Sequence, residues 1–230
     1  MEEIKLVYFN SLNAKLADAN KKIEELNDLE ARLIETDKEL EKANKKIKRL
    51  EKKANRDFLT GLYNHSYYKD NINKTVKDSV KKGQNVGLLV IDLNNVKYAN
   101  DILGHPKTNE IFKSFAKYLL SSIRGYDAAI RVGGDEFLVI ARKATLRTEQ
   151  KIKGRLNNLL KLYNQHTGKE LNYILSFSAG YAIINPLEKN AIESAFKIAD
   201  DNMYKQKYIF RLRNVLINHI NKMNYSNINK

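Results

Sequence analysis

The chain has 230 residues, of which 43% are hydrophobic, enough for one ordinary domain with a core plus an extension, and wholesale disorder is excluded. It contains no cysteine, which rules out disulfide scaffolds, thiolate zinc sites and cysteine nucleophiles. The formal charge of +14 favours anionic partners. No apolar run approaches the length of a spanning helix and no secretory signal opens the chain, so the cytoplasm is the expected compartment.

Residues 1–56 contain neither proline nor glycine. Leu12, Leu16, Ala19, Ile23, Leu26, Leu29, Leu33, Leu40, Ala43, Ile47, Leu50 and Ala54 recur in steps of four and three, with Thr36 in the same seam. This heptad stripe predicts a long helix that pairs with a second copy in a parallel coiled coil, because the seam is narrower than the face a globular helix buries. Ile23, Leu26 and Leu29 are spaced three and three, a stammer that overwinds the supercoil locally.

The texture changes at "RDFLTGLYNHSYY", which carries the first glycine, Gly61, and a cluster of aromatics. A helix is expected over roughly 65–82, ending at Gly83. "VGLLVID" (86–92) reads as a buried strand that ends in an acid. Residues 106–123 open on a proline and place Ile111, Phe112, Phe115, Leu119 and Ile123 on one helical face. The runs 128–132 and 136–141 form a hairpin. A helix over 146–165 follows, with Ile152, Leu156, Leu159 and Tyr163 as its stripe. Residues 173–184 alternate as a strand, and 191–210 are helical. Beyond them lies a basic extension, 212–230. Its apolar residues Leu212, Val215, Leu216 and Ile220 are expected to pack on the domain, with membrane contact by the basic tail the lesser alternative. The order of elements predicts an α+β fold, a sheet flanked by helices.

Asp92 ends one strand and Asp135 sits in the hairpin turn of "AAIRVGGDEFLVIA". If those strands are neighbours, two carboxylates converge, and a cation or a proton must offset their repulsion. Mg²⁺ suits such a pair, since it binds through one or two carboxylates plus substrate phosphates. Gly133 and Gly134 remove Cβ atoms, so backbone N–H groups can approach phosphate oxygens and a positive φ is open to them. Glu136, alternating with Asp135, can serve as a base or a further ligand. The bland alternative is a surface hairpin with solvated acids.

"RVGGDEF" resembles the signature of the GGDEF family, the bacterial diguanylate cyclases. "RDFLTGLYN" (56–64), "VIDLNNVKYANDILGH" (90–105), "FSAGYA" (177–182) and "IADDNMYKQK" (198–207) are similar to further family segments, in order, over roughly residues 55–211. The resemblance implies a ferredoxin-like nucleotide-cyclase palm over 57–211, preceded by the coiled-coil helix 1–56. It implies Asp92, Asp135, Glu136 and the Leu93 carbonyl as ligands of Mg²⁺ or Mn²⁺, two ions per active site. Asp135 and Glu136 are then the catalytic acids, with Glu136 helping to activate the 3′-hydroxyl. Asn100 faces the guanine edge, Gly133 and Gly134 meet phosphate, Lys207 and Arg211 hold the triphosphate, and Lys97 joins the substrate-binding set. The implied reaction condenses two GTP into cyclic di-GMP and two pyrophosphates across a homodimer. Arg124 and Asp127 occupy the position of the family's inhibitory site, where the product binds; the alternative there is a loop salt bridge. No DNA partner is expected.

Three departures stand out. The family's "GHxxGD" is here "GHPKTNE", so Asn109 replaces an aspartate that accepts from guanine N1–H and N2–H. An amide has one accepting and one donating arm and fits adenine as well, so relaxed selectivity with 3′,3′-cyclic GMP-AMP as a product is an alternative. Phe210 stands where relatives have glycine before Arg211, and Asn94 stands where many have a second aspartate. A catalytically silent cyclic di-GMP receptor is the rival from another class.

Overall fold

The computed structural model describes the backbone of residues 2–228 and, within it, all side chains except those of residues 2–8, 11, 14, 52 and 218–228. The chain divides after Ala54 into two units. The first is a single helix, α1 (Glu2–Ala54), 53 residues long and therefore about 80 Å from end to end. Its exposed faces carry acid-before-base pairs one turn apart, Asp18–Lys22, Asp28–Arg32 and Glu41–Lys45, the favourable orientation. Leu26, Leu29, Leu33 and Leu40 are 60–66% exposed on the lone helix. Thr36, the polar member of the seam, returns its hydroxyl to the Arg32 and Leu33 carbonyls.

The second unit contains α2 (His65–Val80), β1 (Val86–Leu93), α3 (Val96–Ser122), β2 (Ala128–Arg131), β3 (Glu136–Arg142), α4 (Thr148–Tyr163), β4 (Phe177–Ile183) and α5 (Ala191–Ile228). The strands form one antiparallel sheet in the order β2-β3-β1-β4. Every residue of β1 is buried because the sheet is covered on both faces. Leu89, Ile91, Phe137 and Val139 pack with Phe115, Leu119 and Leu156 of α3 and α4. The alternate residues Leu88, Val90, Leu138 and Ile140 pack with Ile72, Ala195, Ala199 and Met203 of α2 and α5. The fold is the expected α+β class.

Several boundaries differ from the sequence reading. Helix α3 begins at Val96 rather than at Pro106; it bends at Gly104, whose φ of 75° is left-handed, and Pro106 opens the segment after the bend. Leu160, not Leu159, is the buried member of the α4 stripe. Strand β4 starts at Phe177 because the Asn164 side chain takes both the N–H and the carbonyl of Leu175, so residues 173–176 have no ladder to join. Helix α5 runs on to Ile228 instead of ending near residue 210. Leu212, Val215 and Leu216 are 45–65% exposed, so the expected packing of the tail on the domain is not what these side chains do; Ile220 lies outside the described side chains. Among the described residues no helix is long and apolar enough to cross a membrane.

One buried link holds the segment that follows α1 against the β2–β3 turn. The Arg131 guanidinium donates to the Gly134 carbonyl at 2.7 Å, pairs with Asp57 at 3.2 Å and lies 4.7 Å over the Phe112 ring. Burial pushes the Asp57 carboxyl up, but hydrogen bonds from Thr60 and Arg131 outweigh that and hold it below its ordinary 3.8. A lowered folded-state pKa gives stability that is present above 3.8 and lost as pH falls through the folded value. Asp57→Asn is therefore expected to lower unfolding free energy by about 1–2 kcal/mol at neutral pH, with variant and parent converging in acid, as read by urea titrations at both pH values. At Gly180, a Cβ would collide with the Ala199 carbonyl and the Met203 amide, so strand and helix pack in contact only because glycine is there. Gly180→Ala should lower stability by about 1–3 kcal/mol, seen as a shift in urea midpoint.

Candidate functional site

The register of β1 against β3 puts Asp92 opposite Glu136, and the Leu93 N–H donates to the Asp135 carbonyl at 3.0 Å. The strand-end acid and the turn acid thus meet at one edge of the sheet. Asp92 is 5% exposed; its Oδ2 accepts from Lys207 Nζ at 2.6 Å. Its Oδ1 is buried without a hydrogen-bond partner. Burial pushes this carboxyl up; the Lys207 ammonium pulls the other way, and the Asp135 charge adds to the rise. Among the described residues no three histidine, aspartate or glutamate side chains form a cluster. The oxygen donors brought together are the Asp92 and Asp135 carboxylates and backbone carbonyls; Glu136 faces Asp92 across the ladder but does not complete a three-acid cluster. A buried carboxylate oxygen with no donor fits a hard divalent cation, which takes such oxygens and completes its shell with water or phosphate.

Lys207 comes from α5, so a helix far along the chain delivers positive charge to the end of β1. Arg211, one turn on, is close enough for its charge to act on Asp92. Lys97, Asp135, Lys207, Phe210 and Arg211 line a cavity of about 430 Å³ beside the Leu93–Tyr98 backbone. Phe210, the residue in place of the family's glycine, forms part of its wall. On the other flank of the turn, Gly133, Gly134 and Asn109 line a second cavity of about 460 Å³, together with Asp57, Phe58 and Arg131. The signature turn is therefore the ridge between two polar hollows. Asn100 is half-buried and lines neither.

The glycines of the turn do not use the left-handed region; the positive-φ glycines are Gly61, Gly83 and Gly104. Their value is clearance. A Cβ on Gly133 would stand 3.0 Å from Glu136 Oε2, and Gly134 faces open space. Two larger grooves, about 530 and 590 Å³, run between α2 and α5, but Glu193 is the one acid that lines them, which leaves them without paired carboxylates.

The structure also brings in residues that sequence reasoning set aside. Asn94 is 2% exposed and fully engaged: its amide donates to Ser176 Oγ, its Oδ1 accepts from Ser178, and its backbone carbonyl accepts from the Tyr173 hydroxyl at 2.9 Å. Burial pushes the Tyr173 phenol up to about 12, so it remains a donor. This network pins the turn after Asp92 to the approach of β4, and nothing in the local sequence signals it. Thr108, in place of the family's glycine, is buried and donates to the Gly104 carbonyl across the bend.

Arg124 and Asp127 lie at the other end of the hairpin, about 20 Å from the turn by the length of β3. Asp127 accepts from the Arg124 and Arg142 amides at 3.0 Å each, while the Arg124 guanidinium donates to the Tyr126 hydroxyl at 2.8 Å. Burial pushes the Asp127 carboxyl up, against those amides. Among the ion pairs of the described residues none joins the two side chains, so the loop salt bridge is not formed.

Comparison with known proteins bears on the family and the fold. Residues 54–211 match the family described as diguanylate cyclase, GGDEF domain. Diguanylate cyclase DgcS of Shewanella oneidensis is 44% identical over 86 residues, 37% of this chain and 29% of that protein. The probable diguanylate cyclase DgcJ of Escherichia coli is 30% identical over 151 residues, 66% of this chain and 29% of its own length. The chain thus spans less than a third of the length of these two relatives. The crystal structure of the coiled coil and GGDEF domain of DgcB from Caulobacter crescentus, in complex with c-di-GMP, superposes with a TM-score of 0.64 at 23% identity. That likeness covers 78% of this chain and 94% of that one, and it extends the agreement in fold. With the paired acids, the two-cavity turn and the match over most of the chain taken together, this protein belongs to the GGDEF diguanylate cyclase family.

Proposed function

We propose that the chain condenses two GTP molecules into cyclic di-GMP with release of two pyrophosphates, as a homodimer joined through α1. The observation that carries the reading is the buried, partnerless Oδ1 of Asp92, next in the chain to Leu93 and paired by its other oxygen with Lys207, which line a cavity with Asp135 and Arg211. In this reading Asp92, Asp135, Glu136 and the Leu93 carbonyl hold Mg²⁺ or Mn²⁺, two ions per site. Bound there, the ions neutralise phosphate charge and sharpen the 3′-hydroxyl as a nucleophile.

The chain's own groups do the rest. The triphosphate lies against Lys97, Lys207 and Arg211, whose charge offsets that of the departing pyrophosphate. Lys207 neutralises Asp92 until phosphate competes for it. The backbone of Gly133 and Gly134 lets the α-phosphate close on the turn, and the base reaches the neighbouring hollow with Asn109; Asn100, which lines neither hollow, has no part in this pose. Glu136 receives the 3′-hydroxyl proton as the oxygen attacks the α-phosphorus of the partner's nucleotide. The bond to the bridging oxygen breaks and pyrophosphate leaves; the same step in the other direction closes the ring. Because each chain holds one nucleotide, turnover needs two domains face to face, and a coiled coil supplies the effective concentration. The exposed leucine seam of α1 supports that role. Arg124 and Asp127, outside the reaction site, form the product-binding pair that inhibits.

Incubation with Mg²⁺, GTP and ATP, followed by chromatography, should yield cyclic di-GMP. Asp135→Asn is expected to lower the rate by about 100-fold or more, and full retained activity would sink the metal assignment. A folded chain that binds cyclic di-GMP but never turns over GTP would favour the silent receptor. Asn109 supports a second product: in the same GTP/ATP mixture 3′,3′-cyclic GMP-AMP should appear, and Asn109→Asp should suppress it by roughly 10–100-fold. The dimer has its own check. Leu33→Asp with Leu40→Asp should give a monomer in sedimentation and cut turnover at dilute protein, while a stable dimer would refute the seam.

A further inference from the structure

Helix α5 changes partners along its length. Its sheet-facing row, Ala195, Ala199 and Met203, is buried against β4, and Gln206 accepts from the Ala179 amide at 2.8 Å. In steps of three and four that row continues as Phe210, Arg213 and Ile217. Phe210 and Ile217 keep to that row, but most apolar residues of the distal half lie off it. Tyr204, Tyr208, Leu212 and Val215 succeed one another at four, four and three, flanked by Ile209 and Leu216, and all are 45–65% exposed. Leu212 and Leu216 lie on the side of the helix away from the sheet-packing row, while Val215, one turn beyond Arg211, marks the edge shared with the cavity-facing cations. In the sequence, Ile220 and Met223 keep the spacing beyond Leu216.

Charge decides what can cover such a face. From Asn202 to Lys230 there is no acidic residue, while Lys205, Lys207, Arg211, Arg213, Lys222 and Lys230 carry +6. Two copies meeting along this row would bring together two cationic segments with no acid to offset them. Nucleic acid would take the cations but leave Leu212, Val215 and Leu216 in water. An anionic lipid surface uses both, with acyl chains receiving the apolar row and headgroups the flanking charges. Residues 212–228 make a rod of about 25 Å, and no helix among the described residues is apolar enough to span, so it would lie along the interface. The remaining face is rich in asparagine, at 214, 218, 221 and 224, polar without being repelled by the surface.

We propose that the distal part of α5, residues 212–228, is a membrane-surface helix. It sets Leu212, Val215 and Leu216 into an anionic leaflet, with Arg213 and Lys222 supplying charge for the headgroups. The inference does not depend on the catalytic reading, and neither Arg213 nor Lys222 belongs to the proposed reaction site.

The test is co-sedimentation of the full chain with vesicles of phosphatidylcholine alone or mixed with phosphatidylglycerol, at low and high salt. Binding is expected to the mixed vesicles only and to weaken with salt. Arg213→Glu with Lys222→Glu should lower the partition coefficient by about 30-fold or more, and Leu212→Ser with Leu216→Ser by at least about tenfold. Circular dichroism and urea midpoints of both variants should match the parent, since Leu212, Arg213 and Leu216 are exposed. Absence of binding, equal binding to neutral vesicles, or binding untouched by either pair of substitutions overturns the proposal. So does a lipid-free dimer lost on Leu212→Ser with Leu216→Ser, which would make a second copy the occupant. Retention by an RNA oligonucleotide in preference to vesicles would also overturn it.

Discussion

Asp92 is 5% exposed and brings a negative charge to the end of a strand that is buried along its whole length. Burial disfavours the charged form, and the Lys207 ammonium at 2.6 Å offsets only one of the two oxygens. The rest of the domain is arranged around this unfinished compensation. The antiparallel register sets Asp92 opposite Glu136 and ties Leu93 to Asp135, so the second acid cannot drift away. Helix α5 packs on β4 close enough to extend Lys207 and Arg211 to the same edge, which requires Gly180. A divalent cation and a triphosphate together would complete the charge balance that the protein leaves open.

The same edge is connected to the segment that follows α1. Arg131 binds the Gly134 carbonyl with one arm and Asp57 with another, and Asp57 is in turn held by Thr60. The signature turn is thus braced by a planar guanidinium rather than by its own glycines, which adopt ordinary backbone angles. This division of labour has a physical basis. Glycines without Cβ atoms leave the turn backbone bare, so its bracing comes from the Arg131 and Asp57 side chains that line the same hollow.

Two further charged features lie away from the Asp92 corner. The Arg124–Asp127 loop spends its carboxylate on two backbone amides, which fixes the loop and leaves the guanidinium to Tyr126. The distal part of α5 carries cations beside an exposed apolar row. Neither feature shares atoms with the Asp92 corner, so the inhibition and surface attachment proposed for them stand apart from the proposed chemistry.

Much of this was legible in the chain itself. The heptad stripe of α1, the buried run ending at Asp92, the hairpin with its two acids and the family to which they belong follow from periodicity, turn chemistry and local motif, which are properties of neighbours in sequence. What neighbours cannot reveal is who stands across the fold. The Lys207–Asp92 pair spans 115 positions, the Arg131–Asp57 link 74, and the Asn94–Ser178 contact 84. Asn94 looked like a lost acid and is a fully engaged structural residue. The start of β4 at Phe177 was set by the Asn164 side chain, and Leu160 rather than Leu159 is buried because it faces the core shared by α3 and the sheet. Sequence alone determined the elements, the charges and the two carboxylates; only tertiary structure decided their partners, because burial and hydrogen bonding are settled by what packs against a group and not by what adjoins it in the chain.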